Sequence, residues 1–111
     1  MDKPTGRFDA DTHAAEIRER GYTIIPDFMD AATIQAVRDG LAPYMGQHKG
    51  RNAFEGFSTE RIYTLVARAK VFEDLTEDPR VLAILDRFLQ PGYLLTASQS
   101  IRILPGEAAQ D

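Results

Sequence analysis

The chain has 111 residues, of which 43% are hydrophobic and 27% are charged, and its net charge is −4. This composition predicts one soluble globular domain with a small core, and the acidic balance argues against nucleic acid or an anionic membrane as a partner. No apolar run approaches membrane-spanning length. Zero cysteines exclude disulfides and thiolate chemistry. Without an apolar N-terminal signal segment, we expect a cytoplasmic protein.

The N-terminal residues predict one helix and one short strand. Residues 1–10 are expected to be flexible. Asp11 or Thr12 can then cap a helix that ends before Gly21, a residue suited to a C-terminal cap. The β-prone residues 22–25 follow, and we expect them to form a short strand.

A second helix is predicted to begin at Asp30, a good N-cap residue. Its apolar positions repeat at spacings of three and four residues, which gives one buried stripe formed by Ile34, Val37, Leu41 and Tyr44. Gly40 and Pro43 weaken the helix near its end, so we expect it to kink or stop there.

Residues 46–59 predict a glycine-containing loop, for which two interpretations stay open. In the first, Phe54 and Phe57 simply pin a surface loop to the core. In the second, the two phenylalanines form a lid, and an anionic substrate is received by the basic residues Lys49, Arg51 and Arg61.

The second half predicts a helix after an ambiguous segment. Residues 61–66 fit either a short strand or the start of a helix. Asp78 caps a third helix, and Pro79 occupies its first position. The buried face of this helix is expected to consist of Val81, Leu82, Leu85, Phe88 and Leu89.

Residues 93–104 alternate with a period of two and therefore predict a strand near the end of the chain. One face of this strand is apolar except for Gln99. A buried amide needs hydrogen-bond partners, since an unpaired one costs roughly 1–3 kcal/mol. Either Gln99 bonds to a neighbouring strand or loop, or it lines a pocket and contacts a ligand there. The strand has at least one edge without a predicted partner.

The search for catalytic motifs is mostly negative. Neither His13 nor His48 is followed two positions later by a carboxylate, and both are expected on the solvated surface. The carboxylates, including Glu60, Glu73 and Glu77, are likewise expected on a solvated surface. No catalytic or metal-binding residue is assigned.

Several segments, taken in order, resemble one family. Residues 21–30 read Gly-Tyr-Thr-Ile-Ile-Pro-Asp-Phe-Met-Asp, and the similarity continues through 52–57, 61–65, 78–86, 88–95 and 98–110. Together they resemble the N-terminal part of the phytanoyl-CoA dioxygenase family over nearly the whole chain from Gly21 onward.

That resemblance implies an iron(II)- and 2-oxoglutarate-dependent hydroxylase built on a double-stranded β-helix, or jelly roll, with iron held by two histidines and one carboxylate. The His-x-Asp motif of the family would follow within a few residues of Gln110. Asp111 does not match it, because Ala109 stands where the histidine would be. Residues 1–111 are therefore expected to be the N-terminal portion of one such domain, truncated before the metal motif.

The expected fold class is α+β, with N-terminal helices packed on the first strand of the truncated jelly roll. Iron(II) and 2-oxoglutarate would belong to the intact enzyme, and the chain alone is expected to bind neither and to be inactive. The resemblance places Gln99 at the cofactor pocket and Arg51, Phe54 and Phe57 on the side of a small-molecule substrate.

Self-association through the exposed terminal strand is a further expectation. The alternative to an oxygenase portion is a self-contained α+β module that binds a protein partner by adding this strand to another sheet.

Overall fold

The computed structural model describes residues 7–46 and 56–109. Their elements are α1 (Ala10–Arg20), α2 (Ala31–Leu41), a 3₁₀ turn (Ala42–Tyr44), β1 (Thr59–Ile62), a second 3₁₀ turn (Leu65–Ala67), α3 (Lys70–Thr76), α4 (Pro79–Leu85) and β2 (Ser100–Ile103). The predicted α+β class is confirmed, whereas a jelly roll does not follow from the one two-stranded sheet of the described residues. None of the described helices is long and apolar enough to cross a membrane.

Local capping defines both ends of α1. The Asp9 carboxylate accepts a hydrogen bond from the Asp11 N–H, so the N-cap lies two residues before the first predicted position. Gly21 ends the helix as predicted, since its φ of +88° is a left-handed conformation that glycine adopts without strain.

Residues 22–25 do not form the predicted strand. No strand of the described chain lies beside them to complete a ladder, and β-propensity alone does not hold an isolated strand. The Thr23 side chain instead bonds back to α1, with its hydroxyl donating to Glu16 and lying 2.7 Å from His13 Nδ1.

The predicted start of α2 is confirmed, because Asp30 accepts a hydrogen bond from the Thr33 N–H at 2.8 Å. The helix ends at Leu41, and the 3₁₀ turn that follows contains Pro43, in agreement with the predicted weakening. Gly40 permits a close helix contact here. A Cβ on Gly40 would lie 3.0 Å from the Phe72 ring and 3.1 Å from the Ala69 side chain.

The helices of the second half match the sequence only in part. Asp78 caps α4 by accepting from the Arg80 N–H, as predicted, but α3 was missed. Because α4 ends at Leu85, the prediction that Phe88 and Leu89 are buried was wrong, and both side chains are exposed.

The sheet is short and antiparallel. Glu60 lies opposite Arg102, and Ile62 lies opposite Ser100. The predicted strand over 93–104 is reduced to Ser100–Ile103, because β1 offers only four residues for pairing.

The core lies where α2 and α3 pack against one face of the sheet. Ile62, Leu65 and Phe72 form its buried centre. Around them pack the partly buried side chains Val37, Leu41, Tyr44, Met45, Ala69 and Val71. The predicted stripe of α2 thus contributes to the core through Val37, Leu41 and Tyr44, while Ile34 stays exposed.

Candidate functional site

A buried carboxylate joins the two strands. The Glu60 side chain is only 6% exposed, and it accepts hydrogen bonds from the Gly46 N–H at 2.9 Å and from Arg102 Nη2 at 2.6 Å. The expectation that Glu60 is a solvated surface group was therefore wrong. Its position opposite Arg102 in the ladder provides the countercharge and hydrogen bonds that a buried carboxylate requires.

A second carboxylate forms hydrogen bonds at the other end of the sheet. Glu107 lies in the turn after β2, and its Oε1 atom accepts from the Thr59 hydroxyl at 2.6 Å and from the Ser58 N–H at 2.8 Å. Thr59 is completely buried. The Thr59 hydroxyl, followed by the Ser58 N–H, holds the pKa of the Glu107 carboxyl below its ordinary value, because both groups stabilise the ionised form.

The pairing register of the two strand segments changes just beyond β1. The ladder pairs Ile62 with Ser100, so an unbroken continuation would place Thr64 opposite Ser98. Instead the Leu65 N–H donates to the Ser98 carbonyl at 2.9 Å. One extra residue is therefore accommodated on the β1 side, as in a β-bulge, and Thr64 has a left-handed φ of +57° at this point.

An open groove of about 480 Å³ adjoins this irregularity. It lies between the segment that follows β1 and the segment that precedes β2. Its lining residues are Tyr63, Thr64, Val66, Leu95, Thr96, Ala97, Ser98 and Gln99.

Gln99 therefore lines a groove, as one of the two sequence interpretations proposed, but it is exposed rather than buried in a core. Its predicted cofactor role stays a prediction. Phe57 is 63% exposed at the opposite end of the sheet and does not line the groove, so the structure does not bring it together with Gln99. Arg51, Phe54 and His48 lie outside the described residues.

The described part of the chain contains no group of three His, Asp or Glu side chains that could hold a metal ion. His13 is not a solvated residue as predicted, since its side chain is 12% exposed and its ring stacks on Phe8 with centroids 5.3 Å apart. Its neighbours are a threonine hydroxyl and Glu16, which is a structural arrangement at the end of α1.

No local sequence pattern identifies Glu60 and Glu107 as structural residues. Their partners depend on which residues of β1 and β2 face each other, and this register is a property of the fold. The sequence placed residues 46–59 in a loop and left 61–66 open between a strand and a helix, and neither prediction identifies Arg102 as the residue opposite Glu60.

Comparisons with known proteins give one distant relative. Dioxygenase cdmA of Talaromyces verruculosus is 25% identical over 121 aligned residues, which cover 95% of this chain and 41% of that protein. The chain thus spans less than half the length of the relative. No family model and no solved structure matches. The similarity supports a relation to dioxygenases without identifying the phytanoyl-CoA family.

Replacing Glu107 with glutamine should lower the free energy of unfolding at neutral pH. Since the pKa of this carboxyl is depressed in the folded state, its stabilising contribution is present above the pKa of the unfolded chain and is lost as the pH falls through the folded pKa. Urea denaturation of the unsubstituted chain and of Glu107→Gln should show that the difference between their free energies of unfolding becomes smaller from pH 7 down to acid pH. The exposed Glu19→Gln variant is the control. A difference in free energy of unfolding that does not depend on pH would contradict the conclusion that the ionised Glu107 carboxylate stabilises the fold.

Proposed function

We propose that this chain is part of an iron(II)- and 2-oxoglutarate-dependent dioxygenase resembling the phytanoyl-CoA dioxygenase family. The observation that carries the proposal is the similarity to a dioxygenase along 95% of the chain. The ordered segments from residues 21–30 to 98–110 support the finer family assignment. The relation to dioxygenases is supported by the aligned relative. The assignment of iron(II) and 2-oxoglutarate as cofactors rests only on the resemblance to the phytanoyl-CoA dioxygenase family.

The proposed role of the chain is to supply the helical cover and the first core strand of the oxygenase domain. The packing supports this role, because side chains of α2 and α3 pack in a cluster with Ile62, which lies on one face of the sheet. The opposite face exposes Ile101 and Ile103, which are 47% and 64% accessible. Exposed apolar side chains such as these are suited to packing against further structure.

The described residues do not fit an iron centre. In this proposal the two histidines and the carboxylate therefore come from sequence outside them, and we assign none of the described side chains to iron. Gln99 would line the ligand side of the domain, and the proposal also places Arg51, Phe54 and Phe57 on the side of a small-molecule substrate.

The purified 111-residue chain, supplied with iron(II), 2-oxoglutarate and oxygen, should form no succinate above a metal-free control. If the gene continues beyond codon 111 into a His-x-Asp motif, the extended protein should form succinate in an iron-dependent manner. A variant of that extended protein with alanine at the new histidine is the matched control. Succinate formation by the 111-residue chain, or an extended protein without iron-dependent turnover, would contradict the proposal.

A second candidate is a self-contained interaction module, and the free edge of β2 favours it. The Leu104 N–H donates to the Ser58 carbonyl, so residues 100 and 102 direct their backbone groups toward β1. The backbone groups of Ile101 and Ile103 consequently point to the other edge, where no strand of the described chain pairs with them. Such an edge can accept another strand.

A second copy of the chain is a suitable occupant of this edge. With the two-fold axis at Ile101, the antiparallel register places Gln99 opposite Ile103 and Ser100 opposite Arg102. No two like charges then face each other, and the outward backbone groups of both strands are paired. Pro105 has no N–H and ends the usable edge.

Edge pairing predicts an association that depends on protein concentration, measurable by light scattering coupled to gel filtration. Ile101→Lys should weaken it at least about tenfold, because two lysines would meet at the two-fold axis. Leu94→Lys is the control, since it adds the same charge to a side chain that is 88% exposed and lies outside the strand. A chain that stays monomeric at all concentrations, or equal effects of both variants, would exclude this candidate.

A further inference from the structure

The groove beside Gln99 is lined by uncharged polar and apolar side chains. Its polar groups are the hydroxyls of Tyr63, Thr64, Thr96 and Ser98 and the amide of Gln99. Its apolar groups are Val66, Leu95 and Ala97. Within the described residues, no Asp, Glu, Lys, Arg or His side chain lines it. A mixture of apolar surface with a few neutral donors and acceptors is typical of small-molecule sites.

The backbone at the groove is strained. Thr64 is β-branched and has a φ of +57°, a left-handed conformation that such residues rarely adopt. This residue forms the bulge by which Leu65, rather than Thr64, bonds to the Ser98 carbonyl. Bulges and strained residues of this kind occur disproportionately next to functional sites, because they redirect side chains.

Two polar side chains of the groove, Gln99 and Thr96, are available to a ligand. The Gln99 amide and the hydroxyl of Thr96 make no side-chain hydrogen bond within the described chain. Gln99 offers both a donor and an acceptor, so it can bond to a hydroxyl or a carbonyl of a bound molecule.

We propose that this groove binds an uncharged amphipathic small molecule, with the apolar part against Val66 and Leu95 and a hydroxyl or carbonyl bonded to Gln99. The identification of this molecule as the substrate rests on the proposed dioxygenase function, whereas the binding itself does not. A dianion such as 2-oxoglutarate is disfavoured here, because desolvating a carboxylate requires a cationic partner or several hydrogen bonds to its charged form.

The test compares three probes that share an indole ring and differ in their terminal group. Tryptophol is neutral, indole-3-acetate is anionic and tryptamine is cationic, and 2-oxoglutarate is added as a fourth ligand. Each is titrated into the 111-residue chain while backbone amide shifts are followed by NMR. Tryptophol should shift the amides of residues 63–66 and 95–99 and should do so at lower concentration than the other three ligands.

Three substitutions at glutamine residues locate the site. Gln99→Leu should weaken tryptophol binding about fivefold, the loss of one net hydrogen bond. Gln90→Leu is the matched control, since it makes the same change at an exposed residue outside the groove and should leave binding unaltered. Gln99→Glu should reverse the preference in favour of tryptamine. The dispersion of each amide spectrum verifies that the variant is folded.

Equal shifts from all four ligands, shifts confined to other residues, or no shifts up to the solubility limit of tryptophol would overturn the inference. A stronger response to 2-oxoglutarate than to tryptophol would overturn it as well and would favour the cofactor role predicted for Gln99. None of these outcomes bears on iron-dependent succinate formation by an extended protein, so the inference and the proposed function fail separately.

Discussion

The pairing of Glu60 with Arg102 is the interaction on which the rest of this structure depends. Each strand has only four residues, and a two-stranded ladder of that length is marginal by itself. A one-residue slip would place Ile62 on the outer face and remove it from the core with Leu65 and Phe72. The Glu60 carboxylate opposes such a slip, because its bond to Arg102 exists only in the observed register.

The same strand register positions the groove beside Gln99. With Glu60 and Arg102 opposite each other, the chain after β1 runs beside the chain before β2, and the Leu65 N–H bonds to the Ser98 carbonyl just past the bulge at Thr64. Burial of a carboxylate is costly unless it is paired and hydrogen-bonded, and Glu60 meets this requirement through Gly46 and Arg102. We interpret this buried charge as a determinant of register rather than as a large source of stability.

Features set by short-range chemistry were predictable from the sequence, and features set by register were not. Asp30, Asp78 and Gly21 act at the helix ends where their side-chain or backbone chemistry indicated. Helix α3 was missed because it is short and its N-cap, Ala69, makes no side-chain hydrogen bond. The burial of Glu60 depends on a partner 42 residues away, which no local pattern identifies. Alternation in 93–104 correctly indicated a strand, but only Ser100–Ile103 forms one, since strand length depends on pairing with β1.

A double-mutant cycle on Glu60 and Arg102 tests this account most directly. Glu60→Gln, Arg102→Met and the double variant would be compared by urea denaturation with a reference cycle, Lys70→Met and Asp74→Asn, at an ion pair whose side chains are 73% and 57% exposed. We predict a coupling free energy of about 1 kcal/mol or more for Glu60 and Arg102, and a clearly smaller one for the exposed pair, because solvent screens its charges. Equal coupling in the two cycles would contradict the claim that the buried Glu60 carboxylate sets the register through Arg102.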